Sequence, residues 1–155
     1  MPEGIITTNA AEIAALLKAN EQATANVLKA EAGKIKGEVL ADYRRTVATW
    51  SHRVGFESMV DTQADGSFSV MVGTDDAVYG YVDKGTPAHI IRPRYAKALR
   101  FLSGYRAKTS PGVIGSHGGG SFGAEVFRQI VHHPGTQARK FTKTIFNKHN
   151  PVLGT

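Results

Sequence analysis

Between Asn9 and Trp50 the chain carries one amphipathic pattern, and no other feature limits the possible folds as strongly. Asn9 is a good N-cap, and Glu12 three residues later completes a capping-box pattern. Ile13, Leu16 and Leu17 start an apolar stripe that resumes through Val27, Leu28, Ile35, Val39, Tyr43, Val47 and Trp50 at helical spacing. At about 1.5 Å per residue, about 40 helical residues make a rod of roughly 60 Å. That is long for a chain of 155 residues, so a break is expected in the polar, stripe-free run Asn20 to Asn26. Gly33 and Gly37 each weaken the helix by about 1 kcal/mol relative to Ala. A projecting helix suits a subunit that packs on neighbours; the second half of the stripe equally suits covering the chain's own sheet.

After Trp50 the periodicity changes to two. Val54, Phe56, Ser58 and Val60 share one face, as do Phe68, Val70 and Val72, and Thr62 to Gly66 joins the two runs as a hairpin. Thr74-Asp75-Asp76 opens a short helix with Ala77, Val78, Tyr81 and Val82 as its apolar side, and Gly85 is placed to end it in a left-handed C-cap. His89 to Arg92 reads as extended, with Pro93 confining that strand to an edge or its end. A turn at Tyr95-Ala96 returns the chain as a strand around Leu99 to Leu102. Ser110 to Gly123 reads as a flexible glycine-rich loop. Ala124 to His132 follows as a strand apolar on both faces, through Val126 and Ile130 on one and Phe127 and Val131 on the other. Thr136 is placed to cap a last helix, with Ala138, Phe141, Ile145 and Phe146 on one face and Asn150-Pro151 as its stop. The expected fold is α+β: a long N-terminal helix, an antiparallel β-sheet with a hairpin, a short helix and a C-terminal helix. It occupies one domain over 1–155, with the long helix at about 9–50 and the sheet and other helices at about 53–149. No internal repeat is present.

The net charge of +6 conceals a polarity. Met1 to Gly85 holds 8 Lys/Arg and 12 Asp/Glu, a net −4, whereas Thr86 onward holds 11 Lys/Arg and the single acid Glu125, a net +10. Such a division implies a polyanion or an acidic protein surface as partner, or else a solvated basic face. The absence of cysteine removes disulfides and thiolate metal sites. No apolar run reaches the roughly 18–20 residues of a bilayer span, and Met1-Pro2-Glu3-Gly4 lacks the basic and apolar regions of a signal peptide. The chain is therefore expected to stay in the cytoplasm or in a particle built there, without a membrane partner.

Motifs for chemistry fail on context. Gly118 to Gly123 matches G-x-G-x-x-G, but a strand rather than a helix follows and Lys143 stands where the acid is needed. Gly119-Gly120-Ser121-Phe122-Gly123 matches a nucleophile elbow, yet Glu125 is the only later acid and lies four residues away. His132 and His133 point to opposite faces of a strand and cannot share a metal. His89 and His132 are expected to make hydrogen bonds at strand ends, and the N-terminal acids to lie on helix surfaces and turns. No catalytic residue, cofactor site or metal site is expected. The candidate partner contacts are Arg92, Arg94, Lys97, Arg100, Arg106 and Lys108, with Tyr95, Phe101 and Tyr105 interleaved, together with Gly118, Gly119, Gly120, Arg139 and Lys140. On strands this basic set divides between two faces, so only part of it can form one patch.

Four motifs between Tyr81 and Phe141 carry a resemblance. Tyr81-Val82-Asp83-Lys84-Gly85-Thr86 leads to His89-Ile90-Ile91-Arg92-Pro93 and Ala96-Lys97-Ala98-Leu99-Arg100-Phe101, and His133-Pro134-Gly135-Thr136-Gln137-Ala138-Arg139-Lys140-Phe141 closes the set. In that order they resemble the head–tail joining, neck, tail-completion or minor tail proteins of tailed bacteriophages. Lys140 stands where the commoner ending has proline. The resemblance implies a structural virion protein, not an enzyme: a subunit of a homo-oligomeric ring, of six copies by analogy, at the head–tail junction or tail. Its partners would be neighbouring neck, connector and tail proteins, with non-specific contact to genomic DNA in the lumen and assembly in the host cytoplasm. The alternative from the residues alone is a sequence-independent protein that binds double-stranded DNA.

Overall fold

A computed structural model of the chain describes residues 9–150. Helix α1 spans Ala10–Thr46 as 37 unbroken residues. Asn9 Oδ1 accepts from the amide of Ala11 at 3.0 Å, which fixes its start. The expected break at Asn20 to Asn26 is absent. There Thr24 Oγ1 donates to Asn20 O and Gln22 Nε2 donates to Asn26 Oδ1, so these polar side chains bond along the helix instead of competing with it. After Thr46 the amides of Val47, Ala48 and Trp50 each bond the carbonyl three residues back, and these tighter turns close the helix.

Strands β1 (Glu57–Thr62) and β2 (Phe68–Gly73) form the expected hairpin, with Ser58, Val60 and Thr62 opposite Val72, Val70 and Phe68. This face packs on α1. Helix α2 (Ala77–Lys84) starts at Asp76, whose Oδ1 accepts from the amide of Tyr79 at 2.8 Å. Its buried side differs from the expected one. Tyr79 is 4% exposed whereas Tyr81 is 60% exposed and Val78 also faces solvent. Tyr79 is the hub of the core, its ring 5.4 Å from Phe56, 5.9 Å from Phe141 and 6.1 Å from Tyr43, with Trp50 at 6.4 Å. Tilted and edge-on aromatic pairs of this kind contribute about 0.5–1.5 kcal/mol each beyond their buried area, which favours turning Tyr79 inward. Val39, Val47, Val54, Val72, Val82 and Ile114 surround it.

The C-terminal helix α3 spans Phe141–His149 and buries Phe141 and Ile145, but Phe146 is exposed and Ala138 precedes the helix. Thr136 does not cap it. The cap comes from α2, where the Asp83 carbonyl accepts from Lys140 N and Asp83 Oδ1 accepts from Thr142 N. Lys140 turns into the helix with φ 57°. Helix α3 is tied to α1 through Asp42, which is buried and not a surface acid as expected. Asp42 Oδ2 accepts from Lys148 Nζ at 2.6 Å and from His149 Nε2 at 2.7 Å.

The antiparallel strands are distributed over three two-stranded ladders. Strand β3 (His89–Ile91) pairs with β6 (Val131–His133), and β4 (Leu99–Arg106) pairs with β5 (Gly120–Arg128). Thr86 and Thr136 exchange both backbone hydrogen bonds, at 2.9 and 3.0 Å. Glycine permits this clasp on both sides. Gly85 has φ 78° and Gly135 φ 88°, and a Cβ on Gly135 would lie 2.2 Å from Thr86 O. The ψ of 170° at Gly85 lies outside the left-handed helical region, so it ends α2 by an extended exit. Among the described residues no helix is long and apolar enough to cross a membrane.

Candidate functional site

Alternation along β4 and β5 gives their ladder two faces. On one lie Leu99, Phe101, Ser103 and Tyr105, opposite Arg128, Val126 and Ser121. On the other lie Arg100, Leu102, Gly104 and Arg106, opposite Phe127, Glu125, Phe122 and Gly120. Where Leu102 faces Glu125 and Gly104 faces Phe122, Ser103 is left against both Gly123 and Ala124, a bulge that Gly123 accommodates with φ 87°. The Phe122 ring lies over Gly104, where a side chain would strike it.

This ribbon packs substantially on no other helix or strand. Leu102, Tyr105, Phe122 and Phe127 are all exposed, as is Ile130 just beyond it. Both sides of a two-stranded ladder are thus open to solvent and rich in apolar atoms. At its base Tyr105 and Ser121 border an open cleft of about 470 Å³ with Trp50, Val82, His133 and Arg139. The Nε of Arg139 is buried there without a hydrogen-bond partner among the described residues. Beside the cleft His52 Nε2 lies 2.6 Å from Asp76 Oδ2. The amide of Tyr79, and then His52, hold the Asp76 carboxyl below its usual value.

The proposed contact residues divide by position. Arg92, Arg94 and Lys97 are exposed on the connection between β3 and β4, and Arg100 and Arg106 share one ribbon face. Within the basic set only Arg100 has a carboxylate partner among the described residues, Glu125 across the ribbon. Lys108 is turned inward and donates to Thr49 O at 2.9 Å, so it braces the loop after α1 instead of offering a free charge. Arg139 is half-buried in the cleft and Lys140 is exposed at the start of α3. Gly118 is open to solvent; Gly119 lies against the Arg106 and Ala107 carbonyls, and Gly120 begins β5.

The loop expected over Ser110 to Gly123 is shorter and anchored. Gly120 to Gly123 belong to β5. Ser116 Oγ donates to Arg45 O and accepts from Thr49 N, Thr49 Oγ1 donates to His117 O, and Gly112 N donates to Arg139 O. The seryl and threonyl hydroxyls that complete these anchors are invisible to a composition argument about glycine. Ser121 lies within a strand opposite Tyr105 and not on a strand-to-helix turn. His89 Nδ1 bonds Pro87 O at 2.9 Å, as expected of a strand-end histidine, while His133 accepts from Gly135 N at 3.0 Å. Among the described residues no three His, Asp or Glu side chains converge as a metal site.

A second exposed surface was legible only in part. From Ala10 to Val27 every residue of α1 is exposed, including Ile13, Leu16, Leu17 and Val27. The apolar stripe was visible in the sequence; that the chain's own hairpin stops short of it was not. No protein-family model, curated protein or solved structure matches the chain.

Proposed function

We propose that this chain is a structural subunit of an oligomeric ring that completes or joins the head–tail connection of a tailed bacteriophage, and that it works by assembly and not by catalysis. The observation that carries this reading is where the large apolar side chains lie. Among the described residues five make up the buried hydrophobic set, whereas eighteen large hydrophobic residues are exposed, most of them on α1 before Leu28 and on or beside the β4–β5 ribbon. The accessible surface is 11930 Å², against roughly 7,600 Å² for a compact monomer of this mass. A standard interface covers about 800 Å² per partner, so a ring subunit with two lateral neighbours and rings above and below has use for such a surface. The ordered motifs from Tyr81 to Phe141 support the bacteriophage assignment by resemblance. Neighbouring neck and tail proteins are the implied partners, with genomic DNA passing through the lumen.

Light scattering and native mass measurement of the purified chain, alone and with adjacent virion proteins, test the reading. A ring-sized mass in either mixture is the expected result. A chain that stays monomeric throughout and binds none of them overturns it.

The alternative, sequence-independent DNA binding, draws on Arg92, Arg94 and Lys97, all exposed and without carboxylate partners among the described residues. Under that reading Arg92→Glu with Arg94→Glu lowers duplex affinity and flattens its salt dependence by about one unit per lost phosphate contact. Under the assembly reading duplex binding is weak in the wild type and the pair changes it little.

A further inference from the structure

The exposed part of α1 and the exposed ribbon each lack what the other offers. Over Ile35, Val39 and Tyr43 the stripe of α1 is covered by β2 and α3, and from Lys36 back to Leu28 by the two-stranded antiparallel ribbon β1–β2. That cover ends at the hairpin turn, where Gly66 comes up to Leu28. Beyond it Val27, Leu17, Leu16 and Ile13 are all exposed; at about 100° per residue they form a separate stripe turned roughly 90° from the covered one. The β4–β5 ladder is a second two-stranded antiparallel ribbon with exposed apolar residues, and no helix lies on it.

Length and charge agree with this pairing. The eighteen residues Ala10 to Val27 span about 27 Å of helix. The eight residues of β4 span about 26 Å of strand. At about 100° per residue, Glu12 and Glu21 fall on the two borders of the exposed stripe, roughly 90° from its centre, while Lys18 and Lys29 lie round the back. The ribbon face with Leu102, Phe122 and Phe127 also carries Arg106, without a carboxylate partner among the described residues, and Arg100, which is paired with Glu125 on the same face. An apolar stripe edged by acids thus meets an apolar strip with a free arginine, Arg106, at one end.

We propose that residues Ala10 to Val27 of α1 in one copy lie along the Leu102, Phe122 and Phe127 face of the β4–β5 ribbon in a second copy. This deepens the assembly reading and rests on it. The contact repeats between copies the helix-on-ribbon packing that β1–β2 makes within one chain. It joins two different surfaces, so each copy offers a free helix to one neighbour and a free ribbon to another. Repeated head to tail, such a heterologous contact grows into a closed ring or an open chain of copies.

The chain has no cysteine, so introduced thiols report without background. Leu17 and Leu102 lie near the middle of the two surfaces, and both are exposed. Leu17→Cys and Leu102→Cys proteins are prepared separately, mixed in equal amounts and oxidised gently. A disulfide requires the two Cα atoms within about 7 Å. The expected result is a mixed Leu17→Cys/Leu102→Cys dimer on a non-reducing gel, well above either homodimer, and a ladder of multimers from a chain carrying both changes. Asn20→Cys, an exposed polar position, replaces Leu17→Cys should helix content fall, with the same result expected. Dominant Leu17→Cys homodimers would show helices meeting helices and overturn the inference. An oligomer by light scattering without the mixed cross-link would overturn it while leaving the assembly reading intact. A monomer at every concentration, with no cross-link, would overturn both.

Discussion

Asp42→Asn removes one charge from the junction of α1 and α3 while keeping the shape of the side chain. Asp42 is 2% exposed, and its Oδ2 accepts from Lys148 at 2.6 Å and His149 at 2.7 Å, with Arg45 Nη1 3.3 Å from Oδ1. Burial pushes the carboxyl up, but the hydrogen bonds from Lys148 and His149 and the charges of Lys148 and Arg45 more than reverse this, leaving it below its usual value of 3.8. Hydrogen bonds to a charged group contribute about 1.5–3 kcal/mol each. Lys148 and Arg45 are 49% and 60% exposed at the side chain, so solvent screens their share. His149 is mostly buried and keeps its share in full. Asn still accepts one bond, so the expected net loss is about 2–3 kcal/mol, or about 1–2 M in the urea midpoint. A carboxyl lower in the folded than in the unfolded state contributes its stability fully above the unfolded value and loses it as pH falls through the folded one. The gap between wild type and Asp42→Asn should therefore be wide at pH 7 and close as the pH falls below about 4. Urea unfolding followed by circular dichroism, at low protein concentration, measures it. An equal gap at pH 7 and at the acid end, or no gap at pH 7, would refute the charge as the source.

Gly135→Ala should cost at least about 2 kcal/mol, because it combines a left-handed backbone with a clash on Thr86 O, and should open the Thr86–Thr136 clasp to proteolysis. Asp83→Ala should cost about 1 kcal/mol by uncapping α3, with Asp83→Asn recovering most of the loss in thermal melts. Tyr79→Phe should leave the unfolding midpoint unchanged or raise it, since the Tyr79 hydroxyl is buried without a well-aligned partner among the described residues; a loss above about 1 kcal/mol would reveal a bond from that hydroxyl. Ser121→Ala should change neither the melting temperature nor any ester hydrolysis the preparation shows.

Local patterns carried most of the element order. Asn9, Asp76 and the turn before Phe68 are caps and turns whose side chains act within a few residues, and each was readable. Failures came where distant groups decide. Thr136 looked like a helix cap because nothing in its own neighbourhood revealed that Thr86 would claim its backbone or that Asp83 would cap α3. The apolar side of α2 was misjudged because Tyr79 is buried by rings from four other segments, not by helical spacing. Asp42 sits in the apolar stripe one residue before Tyr43, a signal available in the sequence, but its partners lie more than a hundred residues away. At the candidate site the density of arginine was legible, whereas the inward turn of Lys108 and the pairing of Arg100 with Glu125 depend on which strands meet.

The bulge at Ser103 bears on what the ribbon avoids. In a two-stranded ladder each strand has an outer edge of unsatisfied amides and carbonyls, and phenylalanines beside such an edge invite stacking of identical copies into fibrils. Stacking of that kind needs flat strands in continuous register. Because Gly123 and Ala124 together stand against Ser103, the strand kinks there and the local twist increases. A second ribbon laid edge to edge can keep register on one side of the kink only. The extra residue thus leaves the two faces available while spoiling the edges, so that a surface this apolar can remain exposed without seeding its own precipitation.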